Sequence, residues 1–399
     1  MTKKLYYYDS YVTEFDGNVI EVRPYDDKYA AVLSETYFYP ESGGQPCDTG
    51  FIGETRVSDV EMIDDTICHI IDDPIGIGIY PCKIDRERRF DNMQQHTGQH
   101  ILSAAFAELF DAMTDSFHIG ENMCHIDIDR PGLSQADIDS AEERANEILY
   151  GNIPVTTYIV TPEEAAELPL RKHPSVDKDI RIVEVKNYDY SPCGGTHVNN
   201  TGEIGIIKII KWEKAKNKLR IYFTCGKRAA IYFRDINHTI NKLAYHFSAN
   251  IADIPDHVAL AEQEKKKLQK EISSLKNELA LYVADDLYGK CTKLNTEANL
   301  VVNIFNEYDE ELLRMVSAKL SQKPYSISVL GNISRQQRFI VSRSNDTDLN
   351  LKELFGDLSD HFESSGGGSP KQVQFAIKGD PDKIIAFIEG KIRGAVPIV

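Results

Sequence analysis

Two short stretches of the sequence carry side chains able to hold a metal ion. His96-Thr97-Gly98-Gln99-His100 sets two imidazoles at i and i+4. On a helix that spacing puts them on one face about 6 Å apart, so both can reach one ion. Cys193-Gly194-Gly195-Thr196-His197 repeats the spacing after Pro192, where proline and paired glycines disfavour helix. A chain that turns tightly at those glycines can bring a thiolate and an imidazole to one point. Singly, each stretch has a plainer explanation: a chance pair of histidines, or a glycine turn beside a buried cysteine. Together they offer three nitrogens and a sulfur, a donor set suited to zinc. The zinc-protease helix is excluded, because Thr97 stands where that motif needs its general-base glutamate. Four protein ligands would close a tetrahedron and favour a structural ion, whereas catalysis needs an open or weakly held position. Cys68-His69 and Cys124-His125 are adjacent pairs whose side chains diverge, and they read as strand or core residues.

A polar turn, Glu41-Ser42-Gly43-Gly44-Gln45, is a possible companion to the donors. Gly43 and Gly44 let backbone N–H groups approach a ligand closely, and Gln45 can both donate and accept. The same residues also make an ordinary hairpin turn, which the sequence alone favours.

These groups need a scaffold. Over residues 1–90, short apolar runs at 19–22, 30–33, 57–62 and 67–71 alternate with turn-rich stretches. That pattern reads as a small antiparallel barrel or sandwich. Helical periodicity takes over at Asn92, with a first half that reads as polar on its outer face, and Ser134 caps a second helix reaching about Tyr150. Strands are expected near 180–186 and 204–212, and an amphipathic helix over 228–247. A long helix from Val258 to about Leu287 carries Leu268, Ile272, Leu275, Leu279 and Tyr282 in alternating steps of four and three. It reads as a helical hairpin or a dimer-forming spacer. From about Leu300, strands and helices alternate as in a compact α/β unit, with helices at 308–321 and 349–362 and a glycine run at 366–368. The expected fold is therefore α+β in four parts: a barrel-like 1–90, a metal-binding 91–235, a helical spacer 236–298 and an α/β domain 299–399.

With 42% hydrophobic and 27% charged residues the composition is that of a globular protein. No apolar segment reaches membrane-spanning length and no export signal opens the chain, so the expectation is a cytoplasmic protein without a membrane partner, its seven cysteines reduced. The net charge of −17 argues against indiscriminate nucleic-acid binding. Residues 301–399 hold 13 acidic and 12 basic side chains, so nearly all the excess lies before them. An RNA partner would have to be met by local basic patches.

The two donor stretches, read as His96-Thr-Gly-Gln-His100 and Ser191-Pro-Cys-Gly-Gly-Thr-His197, resemble the zinc motifs of the alanyl-tRNA synthetase editing domain and of the free-standing AlaX trans-editing deacylases. Thr36-Tyr-Phe-Tyr-Pro-Glu-Ser-Gly-Gly-Gln45-Pro-Cys-Asp-Thr-Gly50 is similar to the family's N-terminal editing-site loop, and Arg89-Phe-Asp-Asn-Met-Gln-Gln-His96 to its approach to the first zinc helix. The likeness covers about residues 1–235. The spacer and the Gly366-Gly367-Gly368 region extend it to a C-terminal DHHA1-like domain, the architecture of the long AlaX form. Two residues depart from the pattern: Ser42, where glycine is expected, and Gly98, which costs about 1 kcal/mol of helix propensity against alanine.

The resemblance implies a zinc-dependent hydrolase that removes serine or glycine from mischarged tRNA-Ala. Since no activation region precedes the editing motifs, the expectation is deacylation in trans. Zinc ligands would be His96, His100, Cys193 and His197, with Gln45 and the Gly43 and Gly44 amides assisting. Alanine is smaller than serine, so a site that spares it must read the seryl hydroxyl. Thr36 is the candidate for that contact, though it reads as well as a strand residue. Gly366, Gly367, Gly368 and Lys371, with Lys378, Lys383, Lys391 and Arg393, are candidates for tRNA phosphate contacts. The same domain or the spacer would otherwise support a homodimer. Other classes fit less well. A peptide hydrolase leaves the Cys-Gly-Gly-Thr-His loop unexplained, and a phosphoesterase needs Asp-His-His where this chain has Asp256-His257-Val258 and Asp360-His361-Phe362. An RNA-binding protein with a purely structural zinc is the alternative.

Overall fold

A computed structural model describes residues 2–396 except 175, 307, 334–336 and 357. The protein is α+β and divides into two compact units, Met1–Lys242 and Leu243–Val399.

In the first unit a six-stranded antiparallel barrel closes in the order Glu14–Tyr25, Lys28–Leu33, Thr66–Ile71, Thr55–Ile63, Gly50–Ile52, Gly78–Ile84. The twelve-residue first strand pairs with a neighbour on each side, and a register shift between Val19 and Glu21 bends it round the barrel. Alternation fills the interior with Val19, Ala31, Leu33, Val57 and Ile71, and Tyr6 and Phe38 join this core from outside the barrel strands. Cys68 and His69 face opposite ways on one strand, as adjacent strand residues must. Cys68 joins a small second cluster with Ala30, Val32 and Ile70, while His69 is fully buried and bonded to Thr36 and to the Ala31 carbonyl.

Helix α1, Arg86–Phe110, follows the barrel directly. It begins six residues before the apolar periodicity does, because Asp85 caps it by accepting from the amides of Glu87 and Arg88. The expected polar outer face is absent: every residue from Asn92 to Phe106 is buried. Packing on several sides is the reason. The barrel, a four-stranded sheet and the 191–197 loop all meet this helix, and its glutamines and histidines are spent on internal hydrogen bonds. Arg89 is likewise buried, paired with the buried Asp48 and donating to the carbonyls of Ser10 (2.7 Å) and Tyr37 (2.5 Å). Gly98 sits where a Cβ would come within 2.4 Å of Cys225 Sγ, so close packing accounts for glycine in mid-helix.

The four-stranded antiparallel sheet runs Ile207–Ala215, Lys218–Cys225, Cys124–Ile128, Thr114–Ile119. Its inner face, with Ile126, Ile221 and Phe223, shares one core with α1 and with helix α2, Gln135–Tyr150, capped by Ser134. A three-stranded sheet, Val155–Val160, Ile180–Val185 and Asp189–Pro192, leads into the 191–197 loop.

In the second unit the helix Ile254–Gly289 packs its Ala280 and Ala284 in one cluster with Leu313, Val316 and Leu320 of the helix Glu310–Leu320. On the same helix Leu268, Ile272, Leu275, Leu279 and Tyr282 are exposed. A six-stranded sheet follows, and the helix Glu310–Leu320 connects its parallel pair, Ala298–Phe305 and Ser326–Asn332. One expectation is corrected here. The helix placed at 349–362 is two four-residue helices, Leu351–Leu354 and Leu358–His361. The glycine run belongs to an edge strand, Ser364–Ser369, where a Cβ on Gly366 or Gly368 would meet a carbonyl of the adjoining strand at 2.1 Å. Among the described residues no helix is long and apolar enough to cross a membrane.

Candidate metal centre

His96 and His100 project from α1, and Cys193 and His197 from the loop after Asp189–Pro192. Their four donor atoms lie within 4.8 Å of one another. Cys193 Sγ is 3.3 Å from His96 Nε2 and 3.4 Å from His197 Nε2. A tetrahedral zinc with ordinary bond lengths needs donor separations of about 3.3–3.6 Å, so these contacts match its edges.

Each imidazole is oriented by its other nitrogen. His96 Nδ1 donates to Gln45 Oε1 (2.8 Å), His100 Nδ1 to Asp189 Oδ2 (3.3 Å) and His197 Nδ1 to Thr97 Oγ1 (3.2 Å). Three Nε2 lone pairs are thereby turned toward a common centre, the arrangement metal-bound histidines require. The orienting groups are themselves held. Gln45 Oε1 also accepts from the Thr196 amide, and its Nε2 donates to Thr196 Oγ1. Thr97 Oγ1 donates to the Met93 carbonyl, leaving lone pairs for His197 and the Val198 amide. Asp189 accepts from Arg171 (2.7 Å) and Ser191 (2.8 Å).

Cys193 and His197 are prepared to donate to a cation. At His100, by contrast, burial is outweighed by Asp189 and Cys193, which raise its pKa to about 9, so an ion there must displace a proton. Burial opposes ionisation of Cys193, but the surrounding His96, His197 and His100 outweigh it and hold the thiol well below its ordinary range. Burial, then the neighbouring His96, lowers His197 to about 3, so this imidazole is neutral with a lone pair to give. Asp189 is also buried, yet Arg171 and His100 keep its carboxyl below the usual carboxylate range. The residues therefore fit a zinc-type ion.

His96, His100 and Cys193 line a cleft of about 330 Å³, together with Gly43, Gln99 and Phe117. Phe117 lies against His96 with ring centroids 5.2 Å apart. Of the polar turn, only Gly43 lines this cleft, and its amide donates to no group among the described residues. Gly44, at φ +84°, is pressed onto the strand Thr114–Ile119, where a Cβ would stand 2.3 Å from the Phe117 carbonyl. Gln45 is fully buried behind His96. Thr36 is fully buried too; its hydroxyl donates to His69 Nε2 (2.9 Å) and accepts from the Phe38 amide (3.1 Å). Gly366, Gly367, Gly368 and Lys371 belong to the second unit, where Lys371 Nζ donates to Asn345 Oδ1 (2.7 Å). Sequence reasoning missed the orienting role of Gln45 and overlooked Thr97, Asp189 and Thr196 as partners. Only the placement of Thr97 and Thr196 inside the two donor stretches hinted at them.

The fold and this site define an α+β protein with four donors that could hold a metal ion, and comparison with known proteins gives it a family. The model of the threonyl and alanyl tRNA synthetase second additional domain matches residues 180–222. Alanyl-tRNA editing protein AlaX-L of Pyrococcus horikoshii is 30% identical over the whole of both chains. Alanyl-tRNA editing protein Aarsd1 of Bos taurus is 30% identical across 70% of this chain and 67% of its own, and alanine–tRNA ligase of Pyrococcus abyssi 28% identical across 98% of this chain and 43% of its own. This chain belongs to the family of alanyl-tRNA editing proteins.

Proposed function

We propose that the protein is a zinc-dependent hydrolase that cleaves the ester of tRNA-Ala mischarged with serine or glycine. One observation carries this reading: an oriented three-histidine, one-cysteine centre lines a cleft, in a chain that matches an alanyl-tRNA editing protein over its full length. When bound, zinc supplies a Lewis acid at that cleft. The chain supplies positioning. Gln45, Thr97 and Asp189 keep the imidazoles from rotating. The unspent Gly43 amide is available to an oxygen that gains negative charge as water attacks the ester carbonyl. Phe117 packs against His96 and forms part of the cleft wall. Selection against alanine falls to a group that bonds the seryl hydroxyl. Thr36 retains one lone pair beyond its bonds to His69 and Phe38, and that lone pair is our candidate for the contact. Undiminished preference for seryl over alanyl ester in Thr36→Val would remove that role.

The test is deacylation of seryl-, glycyl- and alanyl-tRNA-Ala by wild type and Cys193→Ala, with metal content measured on both. Wild type should hydrolyse the first two esters and spare the third, and the variant should lose metal and activity together. Metal-replete wild type that leaves seryl and glycyl esters intact defeats the proposal. The closed set of four protein donors also supports a second reading, an RNA-binding protein with a structural ion. Chelation that abolishes hydrolysis while the fold persists decides against it.

A further inference from the structure

The sheet hairpin formed by Ile207–Ala215 and Lys218–Cys225 is charged out of keeping with the rest of the chain. Residues 208–220 hold six cations, Lys208, Lys211, Lys214, Lys216, Lys218 and Arg220, against one acid, Glu213, in a protein of net charge −17. Three of the six are committed: Lys208 to Glu142, Lys218 to Asp115 and Arg220 to Asp127. Lys211, Lys214 and Lys216 are exposed and form no ion pair among the described residues. Lys214, registered with the buried Leu219, projects from the core side of the sheet, and Glu213 accepts from the Tyr222 hydroxyl at 2.8 Å. Side chains alternate across a sheet, so the face opposite the Ile126 and Ile221 core carries a transverse row of cation and rings. Lys211 Nζ lies 4.4 Å from the centre of the Tyr222 ring, Tyr222 is 5.7 Å from His125, and His125 is 5.5 Å from His118. The row crosses all four strands and ends on Thr114–Ile119, the strand whose Thr114, Ser116 and Phe117 line the metal cleft.

We infer that this outward sheet face is the tRNA-docking surface of the first unit. Lys211 on the face and Lys216 in the hairpin turn meet backbone phosphates, and Tyr222, His125 and His118 carry unpaired 3′-terminal bases toward the cleft. Free cations in a strongly acidic chain give the charge complementarity, and a line of π surfaces suits unstacked bases in any sequence. The inference rests on the tRNA substrate proposed above, and it places the contact apart from the C-terminal lysines.

The experiment measures binding of uncharged tRNA-Ala to the full-length protein across a salt series, beside deacylation kinetics. Lys211→Glu/Lys216→Glu should raise Kd about tenfold and flatten the log Kd against log salt slope by about 2, since each phosphate contact contributes about 0.9. Lys214→Glu should leave both near wild type. KM should rise while kcat holds. Tyr222→Leu should weaken binding about fivefold or more with the slope unchanged, as loss of stacking releases no counterions. Unaltered Kd and slope in a double variant that still hydrolyses its ester overturn the inference and leave the proposed activity standing. Wild type that binds tRNA through these lysines but hydrolyses no ester supports the docking surface and defeats the activity. A slope that responds only to Lys371, Lys378 and Lys383 also overturns the inference.

Discussion

Replacing Gly195 with alanine should empty the metal centre without unfolding the protein around it. A Cβ at this position would stand 2.2 Å from His96 Cε1, 2.3 Å from its Nδ1 and 2.8 Å from Gln45 Oε1. Restoring ordinary contact at 3.4 Å requires the ring to retreat by about 1.2 Å. Zinc–nitrogen bonds hold at about 2.0–2.1 Å with a tolerance near 0.2 Å, so a shift of that size removes His96 as a ligand. It also separates Nδ1 from Gln45. Disturbing an orienting partner alone costs about 10–100-fold in metal affinity, so losing the ligand with its partner should cost at least about 100-fold, or 2.7 kcal/mol. Competition with a chromophoric chelator measures this directly, and circular dichroism verifies the fold. Gly194→Ala is the control. Its Cβ would meet only the Tyr7 hydroxyl, at 3.1 Å, which can give by a few tenths of an ångström, so its zinc affinity should match wild type. A Gly195→Ala protein that binds one zinc with wild-type affinity would refute the reasoning.

Three further outcomes follow from the same geometry. Thr97→Val removes the acceptor of His197 Nδ1 while keeping the side-chain shape, and zinc affinity by chelator competition should fall about 10–100-fold. Asp48→Ala leaves the buried Arg89 guanidinium without its anion, so chemical denaturation should report a loss of about 3–5 kcal/mol. His69, with its pKa lowered by burial from 6.5 to about 4, is neutral in the folded barrel and takes up a proton more readily when unfolded. Its contribution is therefore whole above about pH 6.5 and is lost as pH falls toward 4, by up to about 3 kcal/mol. Stability measured against pH should fall less steeply through that window in His69→Gln than in wild type; parallel curves would exclude the effect.

What the sequence disclosed and what it concealed divide along the range of the interactions. The donor pairs at 96 and 100, and at 193 and 197, were legible because spacing within a helix or a tight turn is local. The barrel was legible from period-two alternation in short strands. Asp189 as partner of His100, and Gln45 as partner of His96, depend on contacts across 89 and 51 residues, which no local pattern encodes. The first turn of α1 was hidden for a related reason: Arg89 looks like surface until Asp48 arrives from the barrel to neutralise it. The reason for glycine at 366 and 368 is equally non-local: a Cβ at either would meet a carbonyl of the adjoining strand at 2.1 Å.

The ways the three imidazoles are oriented explain why the centre needs so much of the first unit. Gln45 comes from a turn after the barrel's second strand, Thr97 from α1 itself, and Asp189 from the last strand of the three-stranded sheet. Gln45 further clasps Thr196 through two hydrogen bonds, which ties the turn to the loop carrying Cys193 and His197. The turn is also tied to the strand Thr114–Ile119, since the Ile119 amide donates to the Gly44 carbonyl at 2.8 Å. An ion held by the four donors thus locks turn, helix and loop into one register. That same register brings Gly43 and Phe117 to the cleft. Metal affinity and the shape of the cleft are consequently one property of this fold: a substitution that loosens either orienting contact of the Gln45 carbonyl should weaken both.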